Sequence, residues 1–352
     1  MEKYYTRACN FYYGNNAKFL IKKKLALPLC GSNNVAFDKV EIISRKKNVV
    51  KSKIISLKTI NNLNKNLKIK ITSDIKKITL KRKNFLKFIN FSNPSIMGIL
   101  NLTPDSFSDG GKYNHIVKSK KHIKQMIKDG ADIIDVGGES TRPGSKTVSV
   151  KNEWRRVKSV IKSFKNKYKK TLLSIDTRKS EIMISSIHCG ADIINDVSGF
   201  KFDNGSLLKI NKYNVAKILH HMQGTPNTMQ INPKYKNVLL DIYDFFEENI
   251  KKIKGNKIIL DPGIGFGKKL KHNLTLISKI SLFHSLGLPI LIGTSRKRFI
   301  NQISGNFDSK DRTGGTLASI LFLMSQGVQI FRVHNVKEVK QGILVYKKIL
   351  SN

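Results

Sequence analysis

The hydrophobic pattern changes its period near residue 94. Downstream of Pro94, short apolar runs alternate with longer stretches whose apolar residues recur at helical spacing. Ser95 to Leu100 is a short apolar run bounded by turn residues, and pieces such as 132–136 and 258–260 are β-branched and short, the signature of strands buried in a parallel sheet. The pattern predicts strands at 95–100, 132–136, 172–176, 192–195, 215–219, 257–260, 288–292 and 329–333. Helices are predicted between and after them at 115–129, 151–167, 179–188, 204–212, 236–253, 271–285, 312–325 and 336–350. Eight β/α units within residues 94–352 match the ~250 residues of a (β/α)8 TIM barrel. A doubly wound open sheet is the competing architecture, but no Gly-x-Gly-x-x-Gly turn follows the first strand. Residues 1–93 read differently. Short alternating stretches at 40–44, 67–72 and 78–80 predict strands of a small, partly exposed sheet, an N-terminal extension of mixed or mainly β character.

Composition adjusts this picture only slightly. The formal charge of +41 across 352 residues would suggest nucleic acid, yet the excess is mostly Lys and is spread along the whole chain. It reads as compositional drift, so no nucleic-acid partner is expected. A basic, non-catalytic barrel bound to nucleic acid remains the alternative to an enzyme. Three scattered cysteines (Cys9, Cys30, Cys189) and no long apolar run point to a reducing, cytoplasmic location with no membrane contact.

In a β/α barrel the C-terminal strand tips converge on one pocket. Here every tip is polar: Asn101, Asp135, Asp176, Asn195 with Asp196, His220 with His221, Asp261, Lys297, and Arg332 with His334. Asp176, Asn195 and Asp261 supply acceptors and an amide for a flat heterocycle that carries several N–H donors. Asn101, Arg332 and His334 form a cationic corner suited to phosphate oxygens. Lys297 stands between the two groups. The glycine-rich 261–268 segment lacks the Gly-Lys-Ser/Thr ending of a nucleotide loop. Its glycines, Gly265 among them, allow backbone to approach a flat ligand, with Phe266 as an aromatic wall. No base is evident beside Ser295, and no His-x-Glu or closely spaced His pair on one helix suggests zinc. The set reads as a positioning site rather than a covalent one.

These residues sit in longer signatures. Ile96-Met-Gly-Ile-Leu-Asn-Leu-Thr-Pro-Asp-Ser-Phe-Ser-Asp-Gly-Gly111 and Ile134-Asp-Val-Gly-Gly-Glu-Ser-Thr-Arg-Pro-Gly144 resemble the first two signatures of the dihydropteroate synthases. Ser174-Ile-Asp-Thr177, Ile194-Asn-Asp196, His221-Met-Gln-Gly224, Asp261-Pro-Gly263, Ser295-Arg-Lys297 and Arg332-Val-His334 follow in that family's order. The related pterin-binding methyltransferases share the Asp/Asn/Asp pattern but would not be expected to carry both loops.

The resemblance implies a transferase of folate biosynthesis, of the kind sulfonamides target. It would join 7,8-dihydropterin-6-ylmethyl diphosphate to 4-aminobenzoate with Mg2+, by a dissociative displacement, as a homodimer. On this sequence it implies that Asp176, Asn195, Asp261, Lys297, Arg332, Gly265 and Phe266 hold the pterin. Asn101, Arg332 and His334 would hold the diphosphate, with Asn101 also on the metal. The catalytic set would be Asn101, Lys297, Arg332 and His334. Asp105, Phe107 and Asp109 of the first loop and Thr141, Arg142 and Pro143 of the second would form the aminobenzoate site. Two departures stand out: Asn335 where the family has Asp, and His220 where it has Met.

Overall fold

The structure, a computed structural model, describes residues 2–351 except 83–85, 88, 90, 92, 104–111, 141–143, 256, 306 and 307, and leaves out the side chains of 112–115. The N-terminal region opens with β1 (Lys3–Tyr13), α1 (Gly14–Lys22), β2 (Leu27–Pro28), β3 (Val35–Lys46) and β4 (Val49–Ser56). A 3-10 turn (Leu57–Asn62) then leads to α2 (Lys65–Thr79). β3 is central and pairs antiparallel with β1, β2 and β4. The strands predicted at 67–72 and 78–80 are instead helical. Leu67-Lys-Ile-Lys-Ile fits a two-residue period, but Ile71, Asp74 and Ile78 are buried at the spacing of one helix face. Asn64 caps the helix by accepting from Leu67 N at 3.0 Å, a start signal that short alternation hides.

The barrel follows the predicted alternation. Its first half runs β5 (Ser95–Asn101), α3 (Lys112–Lys128), β6 (Ile133–Gly137), α4 (Val150–Lys167), β7 (Leu172–Asp176), α5 (Ser180–His188), β8 (Ile193–Asp196) and α6 (Ser206–Ile210). The second runs β9 (Ala216–His220), α7 (Val238–Ile250), β10 (Ile258–Asp261), α8 (Leu270–Ser278), β11 (Leu291–Ile292), α9 (Arg298–Ser304), α10 (Thr313–Ser325), β12 (Ile330–Val333) and α11 (Val336–Leu350). The predicted helix at 271–285 divides into α8 and a 3-10 segment, Ile280–Leu286, and α9 is additional. The strands are parallel in the order β10-β9-β8-β7-β6-β5-β12-β11, and a Leu260–Ile290 bridge closes the ring. Met97, Ile133, Leu172, Ile193, Ile218, Ile259 and Ile330 fill the interior with Leu86 and Ile89, which also bridge each other. Those last two come from the segment joining the two regions, so the linker contributes to the barrel's core.

The N-terminal sheet is fastened to the barrel's flank. Tyr5 is fully buried and meets Tyr243 of α7 edge-on at 5.1 Å, its hydroxyl donating to Asp244 at 3.0 Å. Lys3 reaches Asp244 at 2.7 Å and Glu247, while Arg45 pairs with Asp241 at 2.7 Å and with Asp244. Ser281 of the 3-10 segment donates to Ala8 O at 3.0 Å. This face is both packed and charge-matched.

Candidate active site

Most barrel strands are largely apolar and carry a polar residue at or next to the C-terminal tip, so these side chains gather at the same rim. The center of that rim is a carboxylate cluster bridged by one arginine. Arg332 Nε donates to Asp135 Oδ2 at 2.6 Å and its Nη2 to Asp176 Oδ2 at 2.8 Å. Asp135 is fully buried, accepts from Ser174 Oγ at 2.6 Å, and takes Asn195 Nδ2 at 3.1 Å. The amide oxygen of Asn195 is buried without a hydrogen-bond partner among the described residues. A buried acceptor left unpaired is costly, so a donor arriving there from outside the chain would relieve it. Gly137 lies at the edge of this cluster, with room for ordinary contact. A Cβ there would stand 3.4 Å from Asp176 Cβ and 3.7 Å from Asn101 Oδ1, so Asn101 borders the same spot.

The second side of the rim is aromatic and cationic. Lys297 Nζ lies 4.1 Å from the Phe266 ring centroid, and His220 stacks edge-on against the same ring at 4.6 Å. Gly265 has φ +82, and a Cβ on it would come within 3.2 Å of Lys297 Cδ. Glycine is what lets this loop lie against the lysine. Asp261 Oδ1 accepts from Gly263 N at 2.8 Å, which folds the loop back over the β10 tip.

Burial sets the electrostatics here. It pushes Asp176 up to about 7, with Asp135 adding to the rise and Arg332 opposing it. It raises Asp261 to about 6 against the pull of Gly263 N–H and Lys297, and lowers Lys297 to about 8. His220 and His221 are held well below their usual range by burial and by the Lys268 charge, so both rings are neutral near pH 7. His220 Nδ1 donates to Val197 O at 2.9 Å, and Lys268 Nζ donates to His221 Nδ1 at 3.1 Å. These two histidines brace the rim. Asp196 is likewise absorbed, accepting from Ser198 N at 2.7 Å and Phe200 N at 3.1 Å.

Asp176, Asn195 and Arg332 thus form one hydrogen-bonded cluster through Asp135, and Lys297, Gly265 and Phe266 a contacting one. Arg332 is turned toward the carboxylates, not set apart in a cationic corner. His334 is tied instead to Ser295, whose Oγ lies 3.0 Å from His334 Nδ1 and accepts from His334 N at 3.2 Å. No base stands near Ser295 in the chain, so sequence spacing hides this pair. The partner lies 39 positions away, just past the tip of the neighbouring strand β12. Because Ser295 also accepts from the His334 backbone, it acts as a brace for that turn. Asp135, Ser174 and Ser295 join the cluster through partners distant in the chain, a signal that the strand-tip pattern does not carry. Asp105, Phe107, Asp109, Thr141, Arg142 and Pro143 lie outside the described residues. The second loop is anchored on both sides, however. Glu139 Oε1 accepts from Val148 N at 2.7 Å and its Oε2 from Arg178 at 2.7 Å, while Ser145 Oγ donates to Ser140 O at 2.5 Å.

This parallel barrel gathers buried carboxylates, an amide oxygen unpaired among the described residues and a lysine over an aromatic ring at its C-terminal mouth, where β/α-barrel enzymes carry their active sites. Residues 97–334 match the family model described as pterin binding enzyme. The chain is 42% identical over 268 residues to the dihydropteroate synthase of Escherichia coli, covering 75% of this chain and 94% of that protein. It is 40% identical over 274 residues to that of Neisseria meningitidis, covering 75% and 95%. Among solved structures, the Yersinia pestis dihydropteroate synthase in complex with a sulfonamide drug superposes with a TM-score of 0.70 at 40% identity, over 75% of this chain and 97% of that one. The Xanthomonas albilineans enzyme with 4-aminobenzoic acid gives 0.70 at 34% identity, over 75% and 96%. The chain belongs to the pterin-binding enzymes and, among them, to the dihydropteroate synthases. It is a transferase of folate biosynthesis that condenses a dihydropterinylmethyl diphosphate with 4-aminobenzoate.

Proposed function

We propose that dihydropteroate formation is carried out by the rim residues described above, with Asp176, Asn195 and Asp261 reading the pterin edge and Lys297, Gly265 and Phe266 lining its face. The observation that carries this is the unpaired Asn195 Oδ1 beside two buried carboxylates. The guanidine-like edge of a pterin offers N–H donors in the same arrangement that the Arg332 guanidinium presents to Asp135 and Asp176. Pterin entry therefore exchanges one set of donors for another, and frees Arg332 to lie on the ring and meet the diphosphate with Asn101 and His334.

An aromatic amine is unprotonated at neutral pH, so its attack needs no strong base. The costly event is departure of diphosphate from the methylene carbon, and cationic donors aimed at the leaving oxygens lower it by several kcal/mol. The electron-rich pterin shares the positive charge that develops, which favours a dissociative path. The first and second loops, with Asp105, Phe107, Asp109, Thr141, Arg142 and Pro143, exclude water and seat the amine. Among the described residues no cluster of three His, Cys, Asp or Glu side chains is placed to hold a metal. The Asn101 amide oxygen suits a hard cation that takes most of its ligands from substrate phosphates, as Mg2+ does. When bound, Mg2+ supplies neutralisation of the leaving group's charge.

The active unit is a cytoplasmic homodimer, with residues 1–93 as an extension and 94–352 as the catalytic barrel. Supporting this, all three cysteines are free, and among the described residues no helix is long and apolar enough to cross a membrane. Leu274 and Phe322 line an open apolar groove on α8 and α10. Leu344, Val345 and Ile349 are exposed on α11, and such surface marks association. The test of the whole reading is diphosphate release by purified protein with the dihydropterin diphosphate and Mg2+. Release should depend on 4-aminobenzoate and fall by about 10²–10³ in Lys297→Ala. Turnover within a few-fold of wild type after this substitution would remove the assignment.

A further inference from the structure

Between the tips of β11 and β12 lies a residue that neither the rim chemistry nor the strand-tip pattern uses. Arg296 has φ +59, a left-handed backbone that is uncommon for a long side chain and that collects at functional sites. Both of its main-chain polar groups are gripped from the start of α10: its N–H donates to Thr316 Oγ1 at 3.1 Å and its carbonyl accepts from Arg312 Nη1 at 3.2 Å. Its side chain spans to β12's exit, where Nε and Nη2 donate to Asn335 Oδ1 at 3.1 and 2.7 Å. On one side Ser295 meets His334, and on the other Lys297 lies over Phe266. The left-handed turn is what lets successive side chains of a three-residue stretch reach three different partners.

We propose that Arg296 is a positioning residue that fixes Lys297 and the Ser295–His334 pair in register, with Asn335 as its acceptor. The proposal rests on the assignment of Lys297 and His334 to the dihydropterin diphosphate. Two ties then run in parallel between the β11 and β12 tips, Ser295 to His334 and Arg296 to Asn335. The first touches a group assigned to substrate and the second stands behind it. A guanidinium forking onto one amide oxygen is directional, and a lysine cannot reproduce it. A carboxylate at 335 would accept the same fork and add charge.

The experiment is steady-state kinetics on Arg296→Gln, Asn335→Ala, their double variant and Asn335→Asp, with thermal midpoints measured alongside. Arg296→Gln and Asn335→Ala should each reduce kcat/KM for the dihydropterin diphosphate by about tenfold, with KM for 4-aminobenzoate unchanged. The double variant should be no worse than the poorer single one, and Asn335→Asp should retain full turnover. Multiplying effects in the double variant, equal changes in both KM values, or wild-type kinetics in the single variants would each overturn the proposal. Should Arg296→Gln not fold, Asn335→Ala, which keeps the Arg296 side chain and backbone, decides alone. Lys297→Ala separates the two layers. If it keeps turnover, the site assignment falls. If it lowers turnover by about 10²–10³ while Arg296→Gln and Asn335→Ala do not alter kinetics, only the positioning role falls.

Discussion

The carboxylates at the barrel's mouth and those at the seam with the N-terminal sheet are both buried or half-buried, yet they are shifted in opposite directions. At the seam, Glu41 is held low because Arg7 at 2.6 Å and Lys279 outweigh its burial, and Lys3 does the same for Glu247. At the mouth, burial wins, raising Asp176 to about 7 and Asp261 to about 6. The seam's charges are matched within the chain and contribute to holding two regions together. At the mouth one arginine is shared by two buried carboxylates, and Asp261 has no ion-pair partner among the described residues other than the neutral His220. At these positions a close cation within the chain, set against burial, decides the direction of the shift.

Four experiments bear on that contrast. The largest effect is expected from Lys297→Ala or Asp176→Ala, each losing about 10²–10³ in kcat, the range seen on removing one preorganised polar group. Circular dichroism should show the fold retained. Turnover within a few-fold of wild type would mean that the mouth is not the site. Next is Tyr5→Ala at the seam, which should lower unfolding free energy by about 3–5 kcal/mol, as truncation of a buried aromatic does. Turnover per folded molecule should not change, and denaturant melts beside an activity assay check both halves. The seam and mouth part company if instead Tyr5→Ala lowers turnover at undiminished stability.

The third concerns stability against pH. A raised folded-state pKa means the mouth acids favour folding when protonated, so their contribution declines as pH rises from the ordinary carboxylate range through about 6 to 7. Lowered seam acids act oppositely, their contribution present above about 4 and lost as pH falls through the folded value. Asp261→Asn should flatten the decline between pH 4 and 6 by about 1–3 kcal/mol, read from melts across that range. An unchanged slope would show that Asp261 is not the source. The smallest effect is a bell in kcat/KM. It should rise as Asp176 and Asp261 ionise near 6 to 7 and fall as Lys297 deprotonates near 8. A flat profile from pH 6 to 9 would argue that these groups are not poised in the mouth.

Legibility in the sequence followed physical range. The barrel's strands were readable because a strand buried on both faces must be apolar throughout, and their tips because a polar residue ending such a run has few structural reasons to be there. α2 was misread because three alternating residues satisfy a strand and a helix alike, and only packing of Ile71 and Ile78 decides. Arg332 was correctly placed at the mouth, but its contacts with Asp135 and Asp176 span 197 and 156 positions, and no local pattern encodes which acceptor a long side chain selects. The Ser295–His334 and Arg296–Asn335 ties were invisible for the same reason.

What the sequence determined alone is the family, the eightfold alternation and the list of polar tips, since these follow from periodicity and from signatures contiguous in the chain. The tertiary structure decided how those tips pair: which carboxylates share an arginine, which amide oxygen is left without a donor, and which acids are raised or lowered. Pairing and burial depend on distances of a few ångströms between strands that meet only when the ring closes.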